Sequence, residues 1–188
     1  MTVDPNDAAS SLSDIASVQR RTREAVYYAT SGTIFMLWGI LTAIGYLLTF
    51  FDQDHTRIIW FSVTAAGFIG TFTLIYLRRA RGLRARDWRY YQAMIVLVAF
   101  GALFFVVLGP WDGHQHSAFW PLLVMMGFVL GGLWMGRFFI ACGIVVSALI
   151  LGGYFAVPDH WYHLWLAVVE GGGLVAAGWW MTRTGAEG

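Results

Sequence analysis

Histidine and aspartate are the residue types of this sequence best suited to chemistry, and they cluster in the connections between apolar segments. The candidate metal ligands are His55, His114, His116, His160, His163, Asp54, Asp112 and Asp159. Imidazole and carboxylate groups bind Zn²⁺, Cu²⁺, Mn²⁺ and Fe²⁺ in proteins. The sequence therefore raises the hypothesis of a divalent transition-metal site, provided that the connections meet in space.

Two spacings bring histidines close together along the chain. His114 and His116 could offer two nitrogens from one loop, and His160 and His163 share a face where their segment is helical. No spacing is diagnostic, because the sequence has no His-Glu-x-x-His motif and only one cysteine. The alternatives are a pH-sensing cluster and solvated side chains at a membrane interface.

Glu170 is the only acidic or basic residue well inside an apolar segment. A charge at the centre of a bilayer costs from about 2.5 to more than 10 kcal/mol, so such residues usually face a cavity or a partner. Glu170 follows His163 by seven residues, which is a rise of about 10.5 Å on one helix face. This spacing suits an intramembrane proton or substrate site. The alternative is a neutral, protonated Glu170 that hydrogen-bonds to another helix.

The composition indicates that membrane helices must position these residues. The chain has 188 residues, of which 58% are hydrophobic and 12% are charged, whereas a soluble domain has about 25% charged residues. This balance excludes an ordinary soluble domain, a disordered chain and a nucleic-acid-binding module. The single cysteine excludes a disulfide scaffold.

Six segments have the length of about 20 mostly apolar residues that a bilayer-spanning helix needs. They are residues 31–51, 58–77, 91–109, 119–136, 138–157 and 161–181. We predict an all-α membrane protein with six transmembrane helices in three helical hairpins. Only Gly136 and Arg137 separate the fourth and fifth segments, so that turn must be very tight.

The basic residues predict the orientation of the chain. All twelve are arginines, and eleven face the cytoplasm when both termini are cytoplasmic, as the positive-inside rule requires. Six of them form a basic loop that we expect to contact anionic lipid headgroups: Arg78, Arg79, Arg81, Arg84, Arg86 and Arg89. We predict an inner-membrane protein with a cytoplasmic tail at 1–29, a transmembrane domain at 30–182 and a second tail at 183–188.

The N-terminal tail contains a predicted amphipathic helix over residues 11–28, which we expect to lie in the membrane interface. Ser11 and Asp14 form a start that is similar to a capping box. The sequence Gln-Arg-Arg-Thr-Arg at 19–23, with Trp-Gly at 38–39 and Gly-Tyr at 45–46, resembles small multi-spanning bacterial inner-membrane proteins of unassigned function. The resemblance implies a membrane location and assigns no activity or site residue.

A threefold repeat of the hairpins is a further hypothesis. In each hairpin a tryptophan follows the polar loop, and a glycine follows that tryptophan by seven residues. The pairs are Trp60 with Gly67, Trp120 with Gly127, and Trp165 with Gly172. Seven residues make two helical turns, so each pair shares a face. Since glycine permits close approach of membrane helices, we expect these three glycines at helix contacts.

Three functions fit these features. We expect an accessory, sensory or assembly subunit without catalysis of its own, because the chain is short, its loops are short and it has no catalytic motif. The second function is a small proton-coupled or metal-linked transporter that uses Glu170 together with the histidines and aspartates, which the predicted topology places on the non-cytoplasmic face. The third is a metal-dependent intramembrane hydrolase, in which a metal-bound water would attack the substrate. The expected partners are anionic lipid and either further copies of the chain or another membrane protein, and no nucleic acid.

Overall fold

A computed structural model describes residues 15, 31–80, 88–110 and 112–184, with the backbone alone at 78–80, 88–91, 134–135 and 184. The predicted amphipathic helix over 11–28 lies outside these residues, except for Ile15, which is helical and exposed. Arg81, Arg84 and Arg86 of the basic loop also lie outside them, as do residues 185–188 of the C-terminal tail.

Every secondary-structure element in the described ranges is a helix. The first five are α1 (Ser31–Phe51), α2 (Thr56–Ala80), α3 (Trp88–Leu108), α4 (Gly113–Met135) and α5 (Arg137–Ala156). The chain then forms one continuous helix in three parts, which are α6 (Asp159–Leu166), a π-helical turn (Ala167–Gly172) and α7 (Gly173–Thr184). The prediction of an all-α protein is confirmed for the described residues.

Five stretches are long and apolar enough to cross a bilayer, namely α1, α2, α4, α5 and Asp159–Arg183. The predicted span at 91–109 corresponds to α3, whose fully described part, Gln92–Leu108, is apolar. Helix length and composition therefore establish five candidate spans within the described ranges. Arg78 and Arg79 lie in the last turn of α2, and Arg89 lies in the first turn of α3.

Helices α4 and α5 form the tightest hairpin in the described part of the chain. One residue connects them, and this residue, Gly136, has a φ of 127°, which residues with a side chain rarely adopt. A Cβ on Gly143 would lie 2.9 Å from the backbone carbonyl oxygen of Met125, so the backbones of the two helices approach closely at this point. The predicted turn at Gly136 and Arg137 is confirmed.

Helix α1 runs antiparallel to the last helix, and glycines of the two helices meet. A Cβ on Gly32 would lie 2.6 Å from the carbonyl oxygen of Gly178, and a Cβ on Gly39 would lie 2.7 Å from that of Gly171. The two glycines of each helix are seven residues apart and so share a face. The start of α1 and the end of α7 therefore lie at the same end of the molecule.

Helix α2 packs on α1, and α3 packs on α4. Trp38 of α1 donates a hydrogen bond from Nε1 to Oγ1 of Thr71 at 3.0 Å. Its indole ring covers Gly67, where a Cβ would lie 2.6 Å from the ring. Met94 of α3 covers Gly127, where a Cβ would lie 2.9 Å from the methionine side chain. Gly67 and Gly127 thus lie at helix contacts.

Gly172 instead lies on an outward face, which corrects the expectation that it sits at a helix contact. A Cβ on Gly172 would meet no atom within 4 Å. The π-helical turn between Trp165 and Gly172 explains the difference, because its i→i+5 hydrogen bonds place more residues in each turn. Seven residues then no longer return the chain to the same face. The third member of the proposed repeat therefore departs from the other two.

Candidate functional site

Glu170 lies within the π-helical turn and is only 4% exposed. Tyr46 of α1, which is 3% exposed, donates a hydrogen bond from its hydroxyl to Oε2 of Glu170 at 2.7 Å. The π-helical turn directs Glu170 inward together with Ala167, Val169 and Gly171. The deepest acid of the last helix is therefore bonded to a partner on another helix.

Tyr46 lies between Glu170 and His163. Its ring packs edge-on against Trp60 with centroids 4.7 Å apart, and its centroid is 6.5 Å from that of the His163 imidazole. The sequence predicts one shared face for His163 and Glu170. Both residues approach Tyr46, one beside the ring and the other at the hydroxyl. The Tyr46 side chain therefore lies alongside the stretch of the last helix between His163 and Glu170.

His163 connects the last helix to α4. Its Nε2 lies 3.1 Å from Oγ of Ser117, and the Ser117 hydroxyl donates to the carbonyl oxygen of Gly113 at 2.8 Å. Because the hydroxyl has a single hydrogen, this geometry makes Nε2 of His163 the donor to Ser117. Nδ1 of His163 is buried and has no hydrogen-bond partner among the described residues.

His114 lies one turn before Ser117 on α4 and contacts both α5 and α6. Its Nε2 lies 3.1 Å from the carbonyl oxygen of Tyr154, and its Nδ1 lies 3.3 Å from Oδ1 of Asp159. Its ring packs on Tyr162 with centroids 4.4 Å apart. The carbonyl oxygen of Tyr154 can only accept, so Nε2 of His114 is the donor in that hydrogen bond. We call Asp159, His114, Ser117, His163, Tyr46 and Glu170 the polar network.

His116 does not join His114 at this site. Helix α4 begins at Gly113, six residues before the predicted span, because the side chain of Asp112 caps it by accepting from the backbone N–H of Gln115 at 2.6 Å. In a helix, side chains two residues apart do not face each other. The His116 ring lies 4.7 Å from that of Phe105 on α3, so the expected pair of nitrogens from one loop is corrected.

The remaining predicted ligands lie apart from the polar network. His55 pairs with Asp52, Asp54 lies in the exposed α1–α2 loop, and His160 packs against Trp161 with ring centroids 5.2 Å apart. Within the described ranges, no group of three or more histidine, cysteine, aspartate or glutamate side chains is placed to hold a metal ion. Metal binding therefore stays a prediction, and the histidines that come together are His114 and His163.

Sequence reasoning missed Tyr46 and Ser117, which complete the polar network. Both are polar residues of predominantly apolar helices, and this is the one sequence signal that identifies them. Their partners could not be assigned from the sequence, because the contacts join residues 124 and 46 positions apart. Only the packing of α1 and α4 on the last helix brings them together.

His55 and Asp52 form an exposed ion pair in the α1–α2 loop, with Nδ1 and Oδ2 2.9 Å apart. The hydrogen bond from His55 lowers the pKa of Asp52, and the same bond, with the negative charge of Asp52, raises the pKa of His55. The contribution of His55 is complete below its unfolded pKa of about 6.5 and is lost as the pH rises through its raised folded pKa. The contribution of Asp52 is complete above about 3.9 and is lost as the pH falls through its lowered pKa.

We predict that Asp52→Asn lowers the pKa of His55 toward its ordinary value, as measured by NMR titration of ¹⁵N-labelled histidine. The matched control is Asp54→Asn, because Asp54 raises the pKa of His55 only as a minor contributor. We expect the control to produce the smaller decrease. Equal decreases in the two variants would show that the Asp52 hydrogen bond does not set this pKa.

Comparison of the chain with protein-family models, with curated proteins and with solved structures finds no match. The function therefore has to be argued from the site.

Proposed function

We propose that this chain is an integral protein of the bacterial inner membrane that acts as an accessory, sensory or assembly subunit without catalysis of its own. The hydrogen bond between Tyr46 and Glu170 carries this proposal. A buried acid in a membrane helix usually faces a cavity or a partner, and Glu170 has a partner within the chain. Its role is then to hold α1 on the last helix.

The proposed topology has six spans and places both termini in the cytoplasm. The antiparallel contact of α1 with the last helix supports an even number of spans, because it puts the start of α1 and the end of α7 at one end. Arg137 and Arg183 lie at the start of α5 and near the end of α7. The contact of Phe138 with Trp180, whose rings stack with centroids 4.4 Å apart, places these arginines at the same end, in agreement with the positive-inside rule.

The outward face of α3 supports a role as a subunit. Helix α3 packs on α4 through Met94 and Leu97, while Phe100, Leu103 and Val107 are exposed. These outward apolar side chains form the surface of α3 that we propose another protein covers. The proposed partner is a further copy of the chain or a second membrane protein, and the basic loop contacts anionic lipid.

The test is the mass of the protein after mild solubilisation from its native membrane, measured by light scattering with the detergent contribution subtracted. We expect a defined homo-oligomer or a complex with one partner at fixed stoichiometry. Leu103→Trp on the outward face of α3 should weaken this complex, whereas Leu151→Trp, at an exposed position of α5, should leave it intact. A lone monomer at every protein concentration would contradict the proposal.

Proton-coupled or metal-linked transport is the second candidate, and the extent of the polar network from the surface to Glu170 favours it. The polar network extends from Asp159, whose side chain is 90% exposed, to the buried Glu170. Its direct contacts join Asp159 with His114, Ser117 with His163, and Tyr46 with Glu170. A series that leads from the surface to a buried acid is typical of proton paths. This candidate predicts proton flux that disappears in Glu170→Gln, and its metal-linked form predicts a bound divalent metal that is lost in His114→Ala.

A further inference from the structure

An apolar groove opens on the outer surface between α1 and the last helix. Its volume is about 620 Å³, and every residue that lines it is aliphatic, glycine or tryptophan. Ile40 and Ile44 of α1 form one side, and Val168 and Trp179 stand out on the other. Gly172 and Ala176 lie between them, one helical turn apart.

The floor of the groove is closed because the two helices touch there. A Cβ on Gly171 would lie 2.7 Å from Cβ of Ala43, so the backbones have no room for a side chain between them. One residue further on, a Cβ on Gly172 would meet nothing within 4 Å. The groove is therefore a shallow channel along the surface, and the missing side chain of Gly172 keeps it open.

On the last helix, the lining of the groove is about as long as one leaflet of a bilayer is thick. From Ala167 to Trp179 the helix rises by about 18 Å, and half of a hydrocarbon core that is about 30 Å thick is about 15 Å. Asp159–Arg183 is the candidate span to which these residues belong. The groove thus runs from near the middle of this span to one turn before Arg183.

A positive charge lies at the end of the groove that is nearest to the membrane interface. The Arg183 guanidinium carbon lies 3.8 Å from the centroid of a Trp179 ring, and Trp179 lines the groove. In the part of the chain that the structure describes, no carboxylate pairs with Arg183. A guanidinium held on an indole at the membrane interface is suited to bind a phosphate through two parallel hydrogen bonds.

We infer that this groove binds one acyl chain of an anionic phospholipid, whose phosphate pairs with Arg183. An acyl chain fits a shallow channel whose lining is almost entirely apolar, and the arginine complements the headgroup. A second copy of the chain fits the groove less well, because a twofold contact centred on the groove would place two concave surfaces against each other. This inference does not depend on the proposed function.

The test is native mass spectrometry of the full chain in detergent, with added phosphatidylglycerol or phosphatidylcholine that carry identical acyl chains. We expect one phosphatidylglycerol to bind more tightly than phosphatidylcholine. Gly172→Leu fills the groove and should weaken binding of both lipids by about tenfold or more. Gly152→Leu is the matched control, because Gly152 is also an exposed helical glycine with nothing within 4 Å of a Cβ, and it should bind as the wild type does.

The headgroup contact has its own pair of variants. Arg183→Gln should weaken binding of phosphatidylglycerol more than binding of phosphatidylcholine, because the choline group already offsets the phosphate charge of phosphatidylcholine. Arg137→Gln, at the same end of the molecule, should keep the preference for phosphatidylglycerol. Ala176→Leu is a second groove-filling variant in case Gly172→Leu does not fold. Unchanged lipid binding in a folded groove-filling variant would overturn the inference. So would dissociation of a dimer by that variant, because the groove would then be a contact between copies.

Discussion

Gly171→Ala is expected to destabilise the protein by about 1–3 kcal/mol, the usual cost of an added methyl group in a close-packed contact. The new Cβ would lie 2.7 Å from Cβ and 2.9 Å from Cα of Ala43, so the backbone of α1 would have to move. Gly39→Ala should have a similar effect, since its Cβ would lie 2.8 Å from the backbone nitrogen of Val175. Thermal unfolding in detergent, followed by the fluorescence of the ten tryptophans, measures both changes.

The matched control is the neighbouring substitution Gly172→Ala. A Cβ at this position meets nothing within 4 Å, and alanine is a better helix former than glycine by about 0.8–1 kcal/mol. We therefore expect an unchanged or slightly raised melting temperature. If Gly171→Ala and Gly172→Ala changed stability by the same amount, the close contact of α1 with the last helix would be refuted.

Tyr46→Phe is expected to destabilise the protein by about 1–3 kcal/mol, because it leaves the buried Glu170 carboxyl without its donor. Tyr76→Phe is the matched control, since Tyr76 is an exposed tyrosine of α2 and its loss should have little effect. Glu170→Gln keeps an acceptor oxygen for the Tyr46 hydroxyl and should cost less than Tyr46→Phe. The measurement is again the free energy of unfolding in detergent.

A double-mutant cycle separates the hydrogen bond from other effects of these substitutions. Glu170→Leu alone leaves the Tyr46 hydroxyl unpaired, whereas Tyr46→Phe with Glu170→Leu removes both polar partners. Removing both partners of a buried bond costs less than the sum of the single losses. Strictly additive effects would show that Tyr46 and Glu170 do not interact in the folded protein.

The helices themselves could be predicted from the sequence, because long apolar segments in a chain with few charges have no other stable arrangement in lipid. The residue at which α4 begins was harder to predict. Its first turn contains the polar residues His114 and His116, and hydropathy alone places this turn in a loop. The capping side chain of Asp112 starts the helix early, and this start sends the two histidines toward different neighbours.

The pairing of the helices could not be predicted from one sequence. The contacts of Gly32 with Gly178 and of Gly39 with Gly171 are tertiary, and each helix taken alone shows only two glycines spaced by seven residues. The π-helical turn has no recognisable sequence signal. It nevertheless decides two features, because it turns Glu170 inward toward Tyr46 and leaves Gly172 on the outer surface.

Proton flux through the reconstituted protein tests most directly whether Glu170 is a structural contact in a subunit that transports nothing itself. Wild type and Glu170→Gln would be placed in liposomes that contain a pH-sensitive dye, with the folding of both checked by their melting temperatures. We expect a pH gradient across either membrane to decay as slowly as in liposomes without protein. A fast decay with the wild type that is lost in folded Glu170→Gln would contradict it and would establish Glu170 as a proton carrier.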